Sequence, residues 1–370
     1  PTADRTITLP NATGHIPVFA TAPSAAISDG SSGQFLKTDG SGALSFATAG
    51  GGASASDDLY IANPSSATSP TAAGTNAVAI GSNSQAVGNE AFSVGISAKA
   101  DGNSSISIGN YSDAMGANSL AIGAGGTQSS ATNSVAIGYA NSSGDTGFAT
   151  SIGTYQSSYG ASGANSVAIG NLAKASASKS LALGYKTIAS GNGAKAFGGF
   201  GLGVGTTASA EGSTAIGDGA SSTVSYKTAI TTRPFAALGD AQAGIFVMKA
   251  ATTDATATAL TSDSNNAGSG NQVVAASDTC ITFHGTVVAM QNGAQAHAGW
   301  EIKGMLVNDG GTTTLALGNV SDMAATNASS WAVALSADNT NNALKIQVTG
   351  EASHNIRWVA NVQTSEVTYA

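Results

Sequence analysis

A short phrase recurs along the middle of this chain, and its spacing limits the possible folds more than any other feature. The fullest form is Asn-Ser-Val-Ala-Ile-Gly, at Asn133 to Gly138 and Asn165 to Gly170. Related copies end at Gly81, Gly95, Gly109, Gly123 and Gly184, and weaker ones at Gly153, Gly198 and Gly217. From Gly81 to Gly123 the glycines are spaced by 14 residues; the later intervals are 15, 15, 17, 14, 14 and 19. A short fixed period predicts a solenoid, in which each repeat is one unit stacked on the next.

Each copy reads apolar, small, apolar, glycine, as in Val78-Ala79-Ile80-Gly81. Alternation with period 2 is the signature of a strand. The same apolar position returns as Val94, Ile108, Ile122, Ile137, Ile169 and Leu183. The glycines that follow, Gly95, Gly109, Gly123, Gly138, Gly170 and Gly184, permit a sharp turn with positive φ. The second half of each repeat is small and polar, as in Ala98-Lys99-Ala100, and suits a second short strand. One repeat is then one coil of two strands and two turns, hydrogen-bonded to the coils above and below. With Ala, Val and Ile as the inward set, the roll is thin and buries little apolar surface per ordered residue. The small Ala and Ser residues of the second face would admit another backbone. A closed assembly of three rolls is the expected way to hide such faces.

From Gly74 to Ser225 the repeats resemble the left-handed parallel β-roll heads of trimeric autotransporter adhesins, the YadA-like heads. The resemblance implies a homotrimer and a role in display or spacing. A complete adhesin of that kind is expected to add a coiled-coil stalk and a membrane β-barrel, and neither pattern occurs here. The chain starts at Pro1 and shows no signal peptide, so processing or a longer parent is expected.

The flanks read differently. Thr6 to Gly14 is a short strand and turn, and Gly33 to Phe46 a β-hairpin with Asp39-Gly40 at its tip. Both resemble segments of bacteriophage tail fibres and related virion proteins. Gly50 to Gly52 and Ser54 to Ser56 read as a joint. Beyond Gly217 the period stops. Alternating strands are expected at 244–249, 279–290, 300–307, 313–317, 331–335, 343–349 and 356–367, which suits a jelly-roll-like β-sandwich. The phrases His284 to Ala289, Gly299 to Gly304 and Ile356 to Ala360 are similar to C-terminal domains of tail fibres from phages of marine bacteria, cyanobacteria especially. That resemblance implies a distal tip that contacts the host.

Only 9% of the residues are charged and the net charge is −8, which argues against nucleic acid as a partner. No apolar run is long enough to insert in a membrane as a helix. The single cysteine, Cys280, lies in a strand-like run and reads as a buried structural thiol. His15, His284, His297 and His354 lack metal-ligand spacing. Asp263 with Asn265-Asn266, and Asp338 to Asn342, carry oxygen ligands suited to calcium, but turn formation is the simpler account. No cofactor is expected. Glu90, Asp101, Asp113, Asp145, Glu211 and Asp218 are scattered along the repeats, and the adjacent pair Asp57-Asp58 would point opposite ways on a strand. Neither arrangement suits the paired carboxylates of a glycosidase, so no enzyme is expected. Gly198 to Gly203 reads as a local break in the roll. Trp300, Trp331 and Trp358 alternate in step with apolar residues and read as core. If a glycan binds, the exposed turns are the place: Asn292, Gln295 and His297 first, then His354 and Asn355.

The sequence thus predicts an all-β trimeric virion tail fibre. Residues 1–56 connect it to other virion proteins, 57–225 form the β-roll, and 226–370 form a tip. The tip is expected to bind a host-surface glycan, lipopolysaccharide being the first class to test. The alternatives are a bacterial trimeric surface adhesin and a polysaccharide-degrading tailspike.

Overall fold

The computed structural model describes residues 68–151, 158–199, 205–293 and 295–369, and the backbone of strands Gln34–Thr38 and Leu44–Thr48. The chain forms two units, Pro1–Asp57 and Asp58–Ala370. In the first, Gln34–Thr38 pairs antiparallel with Leu44–Thr48, with Thr38 opposite Leu44, as the hairpin reading expects. The expected strand at Thr6, the Asp39-Gly40 tip, the glycine joint, Asp57-Asp58 and His15 lie outside the described residues.

In the second unit, Thr71 to Ile230 is a β-solenoid of about 11 coils. Each coil contributes a strand of three or four residues to one parallel ladder, from Val78–Ile80 to Thr228–Ile230. It contributes a two-residue strand to a second, from Thr71–Ala72 to Ser221–Ser222. Most corners turn through a residue in left-handed geometry, for example Asn118, Asn133 and Asn165 at φ of 54° to 56°. Asparagine tolerates that region better than most residues, which is why it heads the repeated phrase. Gly109 at the phrase's end has φ of 125°, and a Cβ there would lie 1.6 Å from the carbonyl oxygen of Gly123 in the next coil.

The interior corrects the expected facing. Four positions per coil point inward, and small residues fill them: Ser119, Ala121, Thr127 and Ser129 in one coil, Ser134, Ala136, Ala140 and Ser142 in the next. The apolar core of the roll is alanine, apart from Val224 of the last coil, which joins the C-terminal core. Val78, Ile106, Ile108, Ile137 and Leu183 stand on the outside, 36% to 42% exposed. Coils this narrow admit nothing larger than threonine at these positions, so the larger apolar residues of the alternation stand on the surface.

The ladder also corrects the period. Gly138 pairs with Ser151, so Ser151 takes the glycine's place in that coil; Gly153 lies outside the described residues. Lys195, Ala196 and Phe197 pair directly with Thr214, Ala215 and Ile216, so the ladder continues past the expected break, most of which, residues 200–203, lies outside the described residues. One further coil, lacking the glycine, ends at Ile230, beyond the expected stop.

The C-terminal region continues the first ladder. Thr228–Ile230 pairs antiparallel with Ala241–Thr252. Four more antiparallel strands follow outward in the order Ile356–Thr368, Thr279–Gln291, His297–Asp309 and Thr312–Thr326. A small second layer is built around Ala343–Thr349, flanked by Thr258–Ala259, Val273–Val274 and Ala332–Asp338. Phe246, Met248, Ile281, Trp358 and Val362 of the large sheet meet Leu260, Leu344, Ile346 and Val348 of the small one. The three tryptophans pack there as expected: Trp358 lies 5.5 Å from Trp300 and 5.6 Å from Trp331, ring centre to ring centre. Cys280 differs from expectation, half-buried on the outer side of its strand because Thr279 and Ile281 take the inward side.

The open end of the roll is closed by a polar plug. Lys227 occupies the inward position that Ser213 and Ala194 hold in earlier coils. Its ammonium lies 2.6 Å from Glu366 of the last strand, both side chains being buried. The Gln242 amide donates to Glu366 at 2.8 Å and exchanges two 3.0 Å hydrogen bonds with the backbone of Ser221. It thereby does for the last short strand what another coil would do.

Candidate functional site

Two surfaces are candidates. The first is the outer face of the roll's longer strands. Its two columns run through Phe92, Ile106, Leu120 and Val135, and through Val94, Ile108, Ile122 and Ile137, one pair per coil. Toward the C-terminal end the first column turns polar, at Lys195, Thr214 and Thr228. A stripe this regular is far from the scattered apolar residues of an ordinary surface.

The second is an open cleft of about 510 Å³ at one end of the C-terminal sheet. Three separate segments build it: Ala251 to Thr253 at the end of one strand, Met290 to Gly293 at a hairpin, and Asn355 to Arg357 at the start of another. The backbone N–H of Asn292 donates to the carbonyl of Asn355 at 2.9 Å, tying two of the segments together. Asn292, Asn355 and Arg357 are exposed, and among the described residues their side chains hold no hydrogen bond or ion pair. A neighbouring cleft of about 480 Å³, lined by Lys249, Asn265, Asn266 and Arg357, shares Arg357 with the first. The two linings offer amides, hydroxyls and cations and include no carboxylate.

Of the turn residues singled out from sequence, Asn292 and Asn355 meet in this cleft. His297 lies opposite Met290 in the strand register, with Nδ1 2.9 Å from the Gln295 carbonyl. Gln295 is exposed but does not line the cleft. His354 faces its own turn, with Nδ1 3.2 Å from Glu351. Arg357 escaped the sequence reading, although its alternation with the buried Trp358 places it outward.

The asparagine-rich turns serve their own backbone. The Asp263 carboxylate accepts from the Asn265 backbone at 2.9 Å and from the Asn271 side chain at 2.8 Å. Asp338 accepts from the backbones of Thr340 and Asn341 at 3.1 and 3.2 Å. Burial pushes both carboxyls up, but these hydrogen bonds outweigh it and hold them below the ordinary value. Among the described residues no three His, Cys, Asp or Glu side chains gather as a metal site, and no helix is long and apolar enough to cross a membrane.

The YadA head domain repeat matches residues 72–95, 86–112, 100–125, 161–187 and 199–220. The unmatched stretch between 125 and 161 holds the irregular coil with Ser151 in the glycine position. Residues 71–230 are therefore a YadA-like β-roll, and the repeats point to an adhesin-like protein, a class in which such heads are typically trimeric. No curated protein matches the chain.

Proposed function

We propose that this protein is a homotrimeric fibre of a virus particle that adsorbs to a host-cell surface glycan. The carrying observation is the outward Val and Ile face of the roll: a coil filled with alanine, with its large apolar residues outside, is suited to packing against copies of itself. The roll acts as spacer, and the C-terminal region presents the cleft at Asn292, Asn355 and Arg357. Amides and a guanidinium suit sugar hydroxyls and the carboxylate or phosphate groups of lipopolysaccharide. Three weak sites on one fibre, and several fibres per particle, raise the effective affinity without any tight single contact. The role is binding, not catalysis. Residues 1–56 are the link to other virion proteins.

A second reading, a bacterial trimeric surface adhesin, is favoured by the head-repeat match itself. Antibody labelling of particles and of cells separates the two. Binding of the purified full chain to whole cells and to extracted lipopolysaccharide tests the glycan step. The expected result is saturable binding that falls at least about tenfold when Asn292, Asn355 and Arg357 are all changed to alanine, the size of a loss of about 1.4 kcal/mol. Undiminished binding by that variant removes the cleft from the mechanism. Shortened polysaccharide after incubation would replace adsorption by degradation.

A further inference from the structure

We infer that the outer face of the C-terminal sheet is covered by a second copy of this chain, so that the subunit interface runs from the roll into the C-terminal region. This rests on the trimer reading above. Thr228, Ala229 and Ile230 of the last coil pair with Ile245, Gly244 and Ala243. Ala229 and Gly244 are both buried, so the inward side of the roll continues as the inward side of the C-terminal sheet. The Val and Ile face of the roll therefore continues as that sheet's outer face. Directly above the roll columns the outer residues are mixed, Ile245 followed by Gln363 and Ala243 followed by Ser365. Farther along the same strands Val247 and Val359 stand on the outer side, beside Asn361 and Lys249.

There Val288 and Val359 stand opposite one another, 56% and 42% exposed, with Val247 at 55% and Met290 at 62%. The residues beside them in sequence, Val287, Trp358, Phe246 and Ala289, are buried in the core. The outer side of these strands thus carries a patch of large exposed apolar side chains, rimmed by Lys249, Thr286, Arg357 and Asn361. A contiguous exposed apolar patch rimmed by polar residues marks an interaction surface. Met323, 65% exposed at a bulge in the next strand pair, extends the patch past Gly299. The occupant is a second copy because one unbroken sheet carries both surfaces. A symmetric partner seated on the lower part meets the upper part as well. The cleft at Asn292 and Asn355 lies at the strand ends, at the rim of this contact.

The test is thiol protection in the full chain with Cys280→Ser as background. Val288→Cys probes the C-terminal face, Ile137→Cys the roll face, and Ala255→Cys an exposed turn. Each folded protein reacts with a maleimide, and its mass is measured by light scattering. Both face positions are expected to react at least tenfold more slowly than the turn, in a particle of three times the 35.8 kDa chain mass. Protection at 137 with Val288→Cys reacting like Ala255→Cys overturns this inference and leaves the trimer standing. Reaction at both, or the mass of one chain, overturns the trimer reading as well. Protection at 288 alone, in a particle of more than one chain, supports the C-terminal contact and moves the interface off the roll.

Discussion

Lys227 takes a place that ten coils reserve for small residues, and it can do so because no coil lies above it. Its ammonium and the Glu366 carboxylate, 2.6 Å apart, are buried together between the roll and the final strand. Removing one partner strands a charge, which in buried pairs costs about 3–5 kcal/mol. Lys227→Met is therefore expected to lower stability by that amount in chemical denaturation followed by tryptophan fluorescence. The double change Lys227→Met with Glu366→Gln should cost less than either single change, because it leaves no buried charge. Asp240 is the second residue of note. Its carboxylate accepts from the backbone N–H groups of Phe235, Ala236 and Ala237 at 2.8, 2.7 and 2.7 Å. Burial pushes this carboxyl up, but the three donors outweigh it and hold it below its ordinary 3.8. A depressed carboxyl stabilises the folded state at pH above its unfolded value, and the contribution disappears as pH falls through the lower folded value. Protection of those three amides from hydrogen exchange, relative to their intrinsic rates, should hold at neutral pH and be lost as pH falls through the depressed folded value, with Asp240→Asn already less protected at neutral pH.

At the scale of the coil, the phrase-ending glycine is the most constrained position. Gly109→Ala places a Cβ against the Gly123 carbonyl and forces an L-residue to φ of 125°. A loss of about 1–3 kcal/mol is expected, read as a lower thermal midpoint of the roll. Substitution at Ser151, which already fills this place with a side chain, should cost less. The coils themselves were legible in sequence because Val-Ala-Ile-Gly combines strand alternation with a turn residue at a fixed interval. Their facing was not. Alternation separates two faces without saying which is inside, and the usual preference for larger residues inward fails where each coil has space only for alanine, serine and threonine. The irregular coil misled for a related reason: Gly153 looks like the repeat's glycine, whereas the ladder selects Ser151. In the C-terminal sheet, alternation located Trp300, Trp331 and Trp358 in the core. The cleft stayed hidden because its walls come from residues near 253, 292 and 355, which only the sheet order brings together.

Across the whole molecule, one sheet of 16 strands runs from Val78–Ile80 to Thr312–Thr326. Its outer face is where the proposed assembly forms, so changes there should alter mass before they alter the coil. Ile122→Asp with Ile137→Asp is expected to convert a trimer to single chains in light scattering while the far-ultraviolet circular dichroism of the roll persists. Replacing the inward Ala121 and Ala136 by valine should do the reverse, overfilling the coil by about 1–3 kcal/mol per site and lowering stability within the particle. The identical construction of successive coils has a consequence for how such a protein changes over time. A coil carries the same joints above and below, so an in-frame gain or loss of one repeat leaves both ends of the roll intact. Each such event moves the C-terminal region by one strand spacing, about 4.8 Å. The reach of the molecule can therefore be adjusted by recombination in small equal steps, without any new contact having to evolve.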